Sequence, residues 1–211
     1  MKISFSQIIA LDFMKICLAQ INPTVGAFQQ NARKICKYIS IAKKKGAKLI
    51  IFPEMSIVGY PPKDLLEISG FVESNLRALD EITRKVTGIS AIVGFVDKNS
   101  ASRGKQFYNA AAHIQDKKII SKHYKSLLPT YDVFDEDRYF EPTRNISIAR
   151  ISGRKFGIAI CEDTWGVDVV WPRKIYHKDP VAAMIRKGAR IIINISASPF
   201  TIGKQEVRLK M

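Results

Sequence analysis

The architecture can be read from residues 15–52, KICLAQINPTVGAFQQNARKICKYISIAKKKGAKLIIF, which contain two short β-branched runs with a longer periodic segment between them. Lys15–Gln20 and Lys48–Phe52 are expected strands. Phe28, Ala32, Ile35, Ile39 and Ala42 recur at intervals of four and three, which places them on one face of a helix. Gly46 stops that helix, because glycine readily takes the left-handed conformation that ends one. A strand, a covering helix and a second strand make up the repeating unit of a layered α/β domain.

The same rhythm continues downstream. Leu65, Ile68, Val72, Leu76, Leu79, Ile82 and Val86 predict a second amphipathic helix, terminated near Gly88. Ala91–Val96, Asn109–Ile114 and Lys118–Ser121 read as neighbouring strands joined by polar turns. Beyond a loop spanning roughly residues 127–143, Ile146–Ile151 and Lys155–Ile160 flank Ser152-Gly153-Arg154, a hairpin turn. Asp179-Pro180 opens a further helix with an N-cap and a first-turn proline, and Gly188 closes it. Arg190–Ile195 is a continuous apolar run of the kind found in strands buried on both faces. The predicted product is an α/β fold with a two-sheet core and helices on both outer faces.

At 211 residues, with 46% hydrophobic and 25% charged residues, the chain matches one principal soluble domain and excludes disordered, collagen-like and coiled-coil classes. Lys and Arg number 34 against 19 Asp and Glu, a net charge of +15. That charge is spread from Lys2 to Lys210, so it reads as a solvated lysine-rich surface and not as a nucleic-acid face. No run approaches the ~20 apolar residues needed to cross a bilayer, and no membrane partner is expected. Cys17, Cys36 and Cys161 are odd in number and far apart, against a disulfide framework or zinc cluster and in favour of a reducing cytoplasm. In residues 1–13 Asp12 interrupts the apolar run and no cleavage site follows, so this is no signal peptide. Met1-Lys-Ile-Ser-Phe-Ser-Gln-Ile resembles Met14-Lys-Ile-Cys-Leu-Ala-Gln-Ile, and residues 1–13 are taken as an N-terminal extension to a domain covering 14–211.

Three strand ends carry chemistry. Leu49–Phe52 leads into Pro53-Glu54, Gly157–Ile160 into Cys161-Glu162-Asp163, and Ile191–Ile193 into Asn194-Ile195-Ser196-Ala197-Ser198-Pro199. Side chains converge at strand ends in α/β sheets, and a cysteine on a tight strand-to-helix elbow is placed like a nucleophile. The residues alone leave a buried structural thiol open for Cys161. None of His113, His123 and His177 is positioned by the sequence to pair with it. A carboxylate and an ammonium could activate a thiol instead, and Glu54 and Lys125 sit at strand ends.

The blocks Phe52-Pro53-Glu54-Met55-Ser56-Ile57-Val58-Gly59-Tyr60, Lys125-Ser126-Leu127-Leu128-Pro129-Thr130-Tyr131-Asp132-Val133-Phe134-Asp135-Glu136 and Cys161-Glu162-Asp163-Thr164-Trp165 resemble, in order, the three catalytic blocks of the nitrilase (carbon–nitrogen hydrolase) superfamily. Tyr131–Glu136 and the run from Asn194 to Lys204 are similar to the amino-terminal glutaminase domain of glutamine-dependent NAD synthetases. The resemblance runs from Met14 to the last residue. It implies a four-layer α-β-β-α sandwich of the nitrilase type. Further C-terminal strands would complete the second sheet, so this chain is expected to be an incomplete version of the domain with an unpaired sheet edge.

The resemblance implies Glu54 as general base, Cys161 as nucleophile, Lys125 as oxyanion and thiolate stabiliser together with the Glu162 N–H, and Glu136 as an additional orienting carboxylate. It places Tyr131, Ser198 and Lys204 against L-glutamine, with Glu162 and Trp165 as neighbours. Packing for Tyr131, a turn role for Ser198 and a surface charge for Lys204 stay open. Asp132, Asp135, Glu136 and Asp137 could be read as an oxygen site for a divalent cation. Arg138 and Arg144 are close enough in sequence to neutralise part of that cluster, and the superfamily reaction implies neither metal nor cofactor. ATP and deamido-NAD would be used by a synthetase domain whose Ser-Gly-Gly-rich loop does not occur here, and a complete protein is expected to be a homo-oligomer. Two other functions compete: a stand-alone amidase for another small amide, and a non-catalytic remnant or interaction subunit.

Overall fold

The computed structural model describes residues 13–165 and 176–210, so residues 1–12 of the expected extension lie outside it. Five strands, β1 (Ile16–Leu18), β2 (Leu49–Ile51), β3 (Ser90–Lys98), β4 (Phe107–Gln115) and β5 (Lys118–Tyr124), form one sheet in sequence order. The pairs β1–β2 and β2–β3 are parallel, whereas β3–β4 and β4–β5 are antiparallel. A second sheet orders β6 (Ile148–Ile151), β7 (Arg154–Ile160) and β8 (Ile191–Ile195), with β6–β7 antiparallel and β7–β8 parallel. Ser152 and Gly153 join β6 to β7 with φ of +48° and +75°, the two left-handed residues that a tight hairpin turn requires.

Strand alternation sorts the apolar residues into layers. Ile50 and Phe52 pack with Ile35, Ile39 and Ala42 of α1 (Phe28–Lys44) and with Ala78, Leu79 and Ile82 of α2 (Phe71–Lys85). Leu49 and Ile51 turn the other way and share a core with Phe156, Ile158 and Ile160 of β7. On the far face of β7, Ala159 meets Met184 of α4 (Pro180–Arg186). Asp179 caps α4 by accepting a 2.8 Å hydrogen bond from the Ala182 N–H.

Two sequence expectations are corrected. The helix read from Leu65 to Val86 is two elements, a 3₁₀ turn at Lys63–Glu67 and α2, because Gly70 between them adopts φ +80°. Ile68 is consequently 56% exposed while Val72 is buried. The run Arg190–Ile195 does form β8, yet it is not buried on both faces: Ile191 is 36% exposed and Asn194 is exposed. Among the described residues β8 pairs with β7 alone, which accounts for its exposure.

His113 lies two residues beyond Ala111 on β4 and is fully buried, with neither ring nitrogen hydrogen-bonded among the described residues. His123 lies between the hydroxyls of Ser121 and Ser147, each 2.9 Å from a ring nitrogen. Burial pushes the His123 imidazole down to about 4 and lowers His113 as well. The folded state therefore holds His123 neutral while the unfolded chain takes up a proton below about 6.5, so His123's contribution to stability falls with pH over that window. Relative to His123→Gln, the wild-type protein is expected to lose about 2 kcal/mol between pH 7 and pH 5 in urea unfolding. Parallel pH profiles for the two proteins would refute this.

Candidate active site

The chain leaving β2 passes over β3 at Gly94, where an added Cβ would lie 2.4 Å from the Pro53 carbonyl oxygen and 2.5 Å from the Met55 nitrogen. Only glycine permits that approach, which carries Glu54 to the end of the sheet. The Ser56 hydroxyl (3.1 Å) and the Ile57 N–H (3.2 Å) both donate to the Gly94 carbonyl and fix the crossing. Lys125 follows directly on β5 and Cys161 directly on β7. Cys161 has φ +47°, a conformation L-residues avoid, at the start of a 3₁₀ turn that runs to Thr164. The elbow expected from sequence is present. Glu136 opens the short helix α3 (Glu136–Tyr139).

These elements bring four buried groups together. The Lys125 ammonium donates to Glu54 Oε1 at 2.8 Å and to Glu136 Oε1 at 2.7 Å, and all three residues are at least 96% buried. Glu54 Oε2 accepts from the Ala197 N–H at 2.9 Å, while the preceding residue, Ser196, has its hydroxyl 3.3 Å from Cys161 Sγ. Adjacent residues thus bracket the carboxylate and the sulfur. Asp163 accepts from the N–H groups of Ser126 (2.8 Å), Leu127 (3.0 Å) and Ile160 (3.0 Å), which ties the end of β5 to the end of β7.

The electrostatics follow from this crowding. Burial favours the neutral amine of Lys125, but Glu54 and Glu136 together outweigh it and hold the ammonium well above its ordinary value. Burial, then the Glu54 charge, pushes the Cys161 thiol up to about 12, against the opposing pull of Lys125. Lys125 does act on the thiol in the direction expected of a thiolate stabiliser, but desolvation and a carboxylate win. A thiol of that kind reacts only if its proton is removed as the bond forms, which calls for an adjacent base. Burial likewise raises Glu136 to about 7, with Glu54 adding to it and Lys125 opposing.

Of the residues expected at a substrate, Tyr131 and Glu162 meet directly: the phenol lies 3.0 and 2.9 Å from the two carboxylate oxygens. Tyr176 donates to the same carboxylate at 2.6 Å. Lys204, the first residue of α5 (Lys204–Lys210), lies over the Trp165 ring at 5.7 Å, and the Ser198 N–H points to the Ser196 hydroxyl at 3.3 Å. Sequence reasoning assigned no role to Asn109, Asp163, Tyr176 or Ser196. Asn109 donates from Nδ2 to Glu54 Oε1 at 2.8 Å and to Glu136 Oε2 at 3.2 Å, and Tyr60 donates to Glu136 at 3.0 Å.

The acidic run 132–137 is dispersed, with Glu136 on Lys125 and Asp137 on Lys105 at 2.7 Å. Arg138 does not neutralise that run but lies 3.8 Å from Asp64, and Arg144 lines a different cavity. Among the described residues no group of three or more His, Cys, Asp or Glu could hold a metal ion. Among the described residues no helix is long and apolar enough to cross a membrane. A cleft of about 720 Å³ near Glu67, Lys98 and Arg138 contains none of the four clustered groups. Chemistry, not volume, therefore marks the site.

Residues 15–209 match the family described as carbon–nitrogen hydrolase. A glutamine-dependent NAD(+) synthetase from Synechocystis sp. is 39% identical over 197 residues, which are 92% of this chain and 35% of that protein. One from Thermotoga maritima is 34% identical over 198 residues, 92% of this chain and 32% of that protein. The chain thus spans about a third of the length of these curated relatives. The solved structure of glutamine-dependent NAD+ synthetase from Acinetobacter baumannii, in complex with ADP, superposes with a TM-score of 0.81 at 32% identity, covering 92% of this chain and 34% of that one. An amidase from Nesterenkonia sp. shares the fold at a TM-score of 0.71 and 20% identity, covering 91% of this chain and 68% of that one.

Proposed function

Since the chain belongs to the carbon–nitrogen hydrolase family, we propose that it hydrolyses the side-chain amide of L-glutamine through a thioester on Cys161, as the glutaminase part of an NAD-forming enzyme. The observation that carries this reading is the convergence of Glu54, Lys125 and Cys161 from three strand ends. Glu54 is bonded to Lys125 at 2.8 Å, and the neighbouring residues Ser196 and Ala197 join it to the sulfur.

Glu54 takes the thiol proton as the sulfur attacks the amide carbon. The C=O electrons move to oxygen, and the oxyanion is met by the Lys125 ammonium and the Glu162 N–H. Collapse expels ammonia, which takes the proton from Glu54. The regenerated carboxylate then deprotonates a water that attacks the thioester, releasing glutamate and restoring the thiol. The α-ammonium of glutamine is matched by the Glu162 carboxylate, already ringed by Tyr131 and Tyr176, and the α-carboxylate by Lys204 and Ser198. Trp165 positions Lys204. On this reading residues 14–211 form a nitrilase-type α-β-β-α unit in a reducing cytoplasm, and its own reaction needs no cofactor. The ammonia would amidate deamido-NAD in an ATP-using synthetase domain.

The Tyr131–Glu162 pair favours glutamine over a simple amide. A site built around charged partners rejects a ligand that leaves them empty by factors on the order of 10⁴. Ammonia release from glutamine is therefore expected to exceed that from propionamide by about that factor in kcat/KM. Equal rates would transfer the assignment to a stand-alone amidase. A glutamine-like diazo ketone is expected to add one equivalent of mass at Cys161, and a folded protein that forms no adduct would be a non-catalytic remnant.

A further inference from the structure

We propose that the cavity behind Lys125, lined by Ser126, Arg144, His177, Lys178 and Arg186, binds a phosphate-class oxyanion. The cavity holds about 300 Å³, room for a phosphate or diphosphate group, and none of Glu54, Cys161 or Glu136 lines it. Three segments of the chain build it. The Thr143 N–H donates to the Lys125 carbonyl at 3.0 Å, which sets the turn carrying Arg144 beside Ser126, while Lys178 just before α4 and Arg186 in its last turn supply the remaining cations.

Two independent features point to an anion. Ser126 is 6% exposed, and its hydroxyl has no hydrogen-bond partner among the described residues, although its own N–H is occupied by Asp163 at 2.8 Å. A buried hydroxyl is rarely left unmatched, and the residue that carries this one lines a cavity of ligand size. Arg144, Lys178 and Arg186 carry three positive charges with no ion pair among the described residues. Asp179, the acidic residue in the lining, already accepts the Ala182 N–H at 2.8 Å as the cap of α4. Guanidinium groups around a hydroxyl donor match the tetrahedral oxygens of a phosphate. This inference does not depend on glutamine as the substrate.

The test is isothermal titration of the full chain at fixed ionic strength with inorganic phosphate and, separately, with a nucleoside diphosphate. The wild-type protein is expected to bind at least one of the two saturably. Tighter binding of the nucleotide assigns the site to a phosphate carried on a larger molecule, and equal binding assigns it to the free ion. Arg144→Ala/Arg186→Ala is expected to weaken binding by about 10-fold or more. Ser126→Ala, which removes an unmatched buried hydroxyl, is expected to keep or raise the unfolding midpoint without ligand while weakening binding several-fold. Absence of saturable binding to the wild-type protein, or equal affinity in all three proteins, overturns the proposal.

Discussion

Replacing Cys161 with alanine is expected to bring ammonia release down to the uncatalysed background, a loss on the order of 10⁶-fold as is typical when a covalent nucleophile is deleted. The sulfur sits on an elbow at φ +47°, and the groups around it are arranged for what happens there. With the thiol held near 12, the attack depends on proton transfer to Glu54 as the bond forms, and among the described residues no neighbouring side chain offers a second nucleophile of comparable strength. Ser196, 3.3 Å from the sulfur, is a hydroxyl without a base of its own among the described residues. The stability cost should be small. Alanine keeps the same backbone, removes one sulfur atom and leaves the Glu54–Lys125–Glu136 bonds untouched. Ammonia assay and urea unfolding on the same preparation check both halves. Activity above about 1% of wild type would remove Cys161 from the mechanism.

What the sequence made legible was whatever a single segment declares. Leu49–Phe52 announces a strand and Glu54 its polar end, so both the layer and the carboxylate could be placed from neighbouring residues. Cys161 was legible for the same reason. Asn109 was not, because in Phe107–Gln115 it reads as one more strand position. Only the packing of β4 beside Lys125 makes it the amide that donates to both Glu54 and Glu136. Asp163 was visible as a neighbour of Cys161, but its work is with backbone N–H groups of Ser126 and Leu127, 37 and 36 positions away, and backbone donors leave no signature in side-chain pattern. Gly70 and β8 misled in opposite directions. Hydrophobic spacing carried through a glycine that breaks the helix, and an unbroken apolar run promised burial where β8 has one partner strand among the described residues.

Lys125→Met is expected to lose activity almost as completely and, unlike the alanine variant, to lose stability too. Removing a cationic oxyanion donor costs on the order of 10³-fold, and displacement of Glu54 from its 2.8 Å anchor adds to that. The fold pays separately, because two buried carboxylates then face each other without their ammonium, a loss of about 3–5 kcal/mol. That deficit has a predictable pH dependence. Burial already raises Glu136 to about 7, and Lys125 is what opposes the rise, so its removal drives the carboxyl higher. A carboxyl whose folded pKa lies above its unfolded one binds its proton preferentially in the folded state, so it costs stability above the folded pKa and the cost fades as pH falls towards the unfolded value. The gap between Lys125→Met and wild type should therefore shrink from pH 8 to pH 6. Lys125→Met/Glu136→Gln removes one of the two charges and should regain part of the lost stability at pH 8 with no gain in ammonia release. A gap that widens on acidification, or a double variant that stays as unstable as the single one, would show that the ammonium does not neutralise this pair.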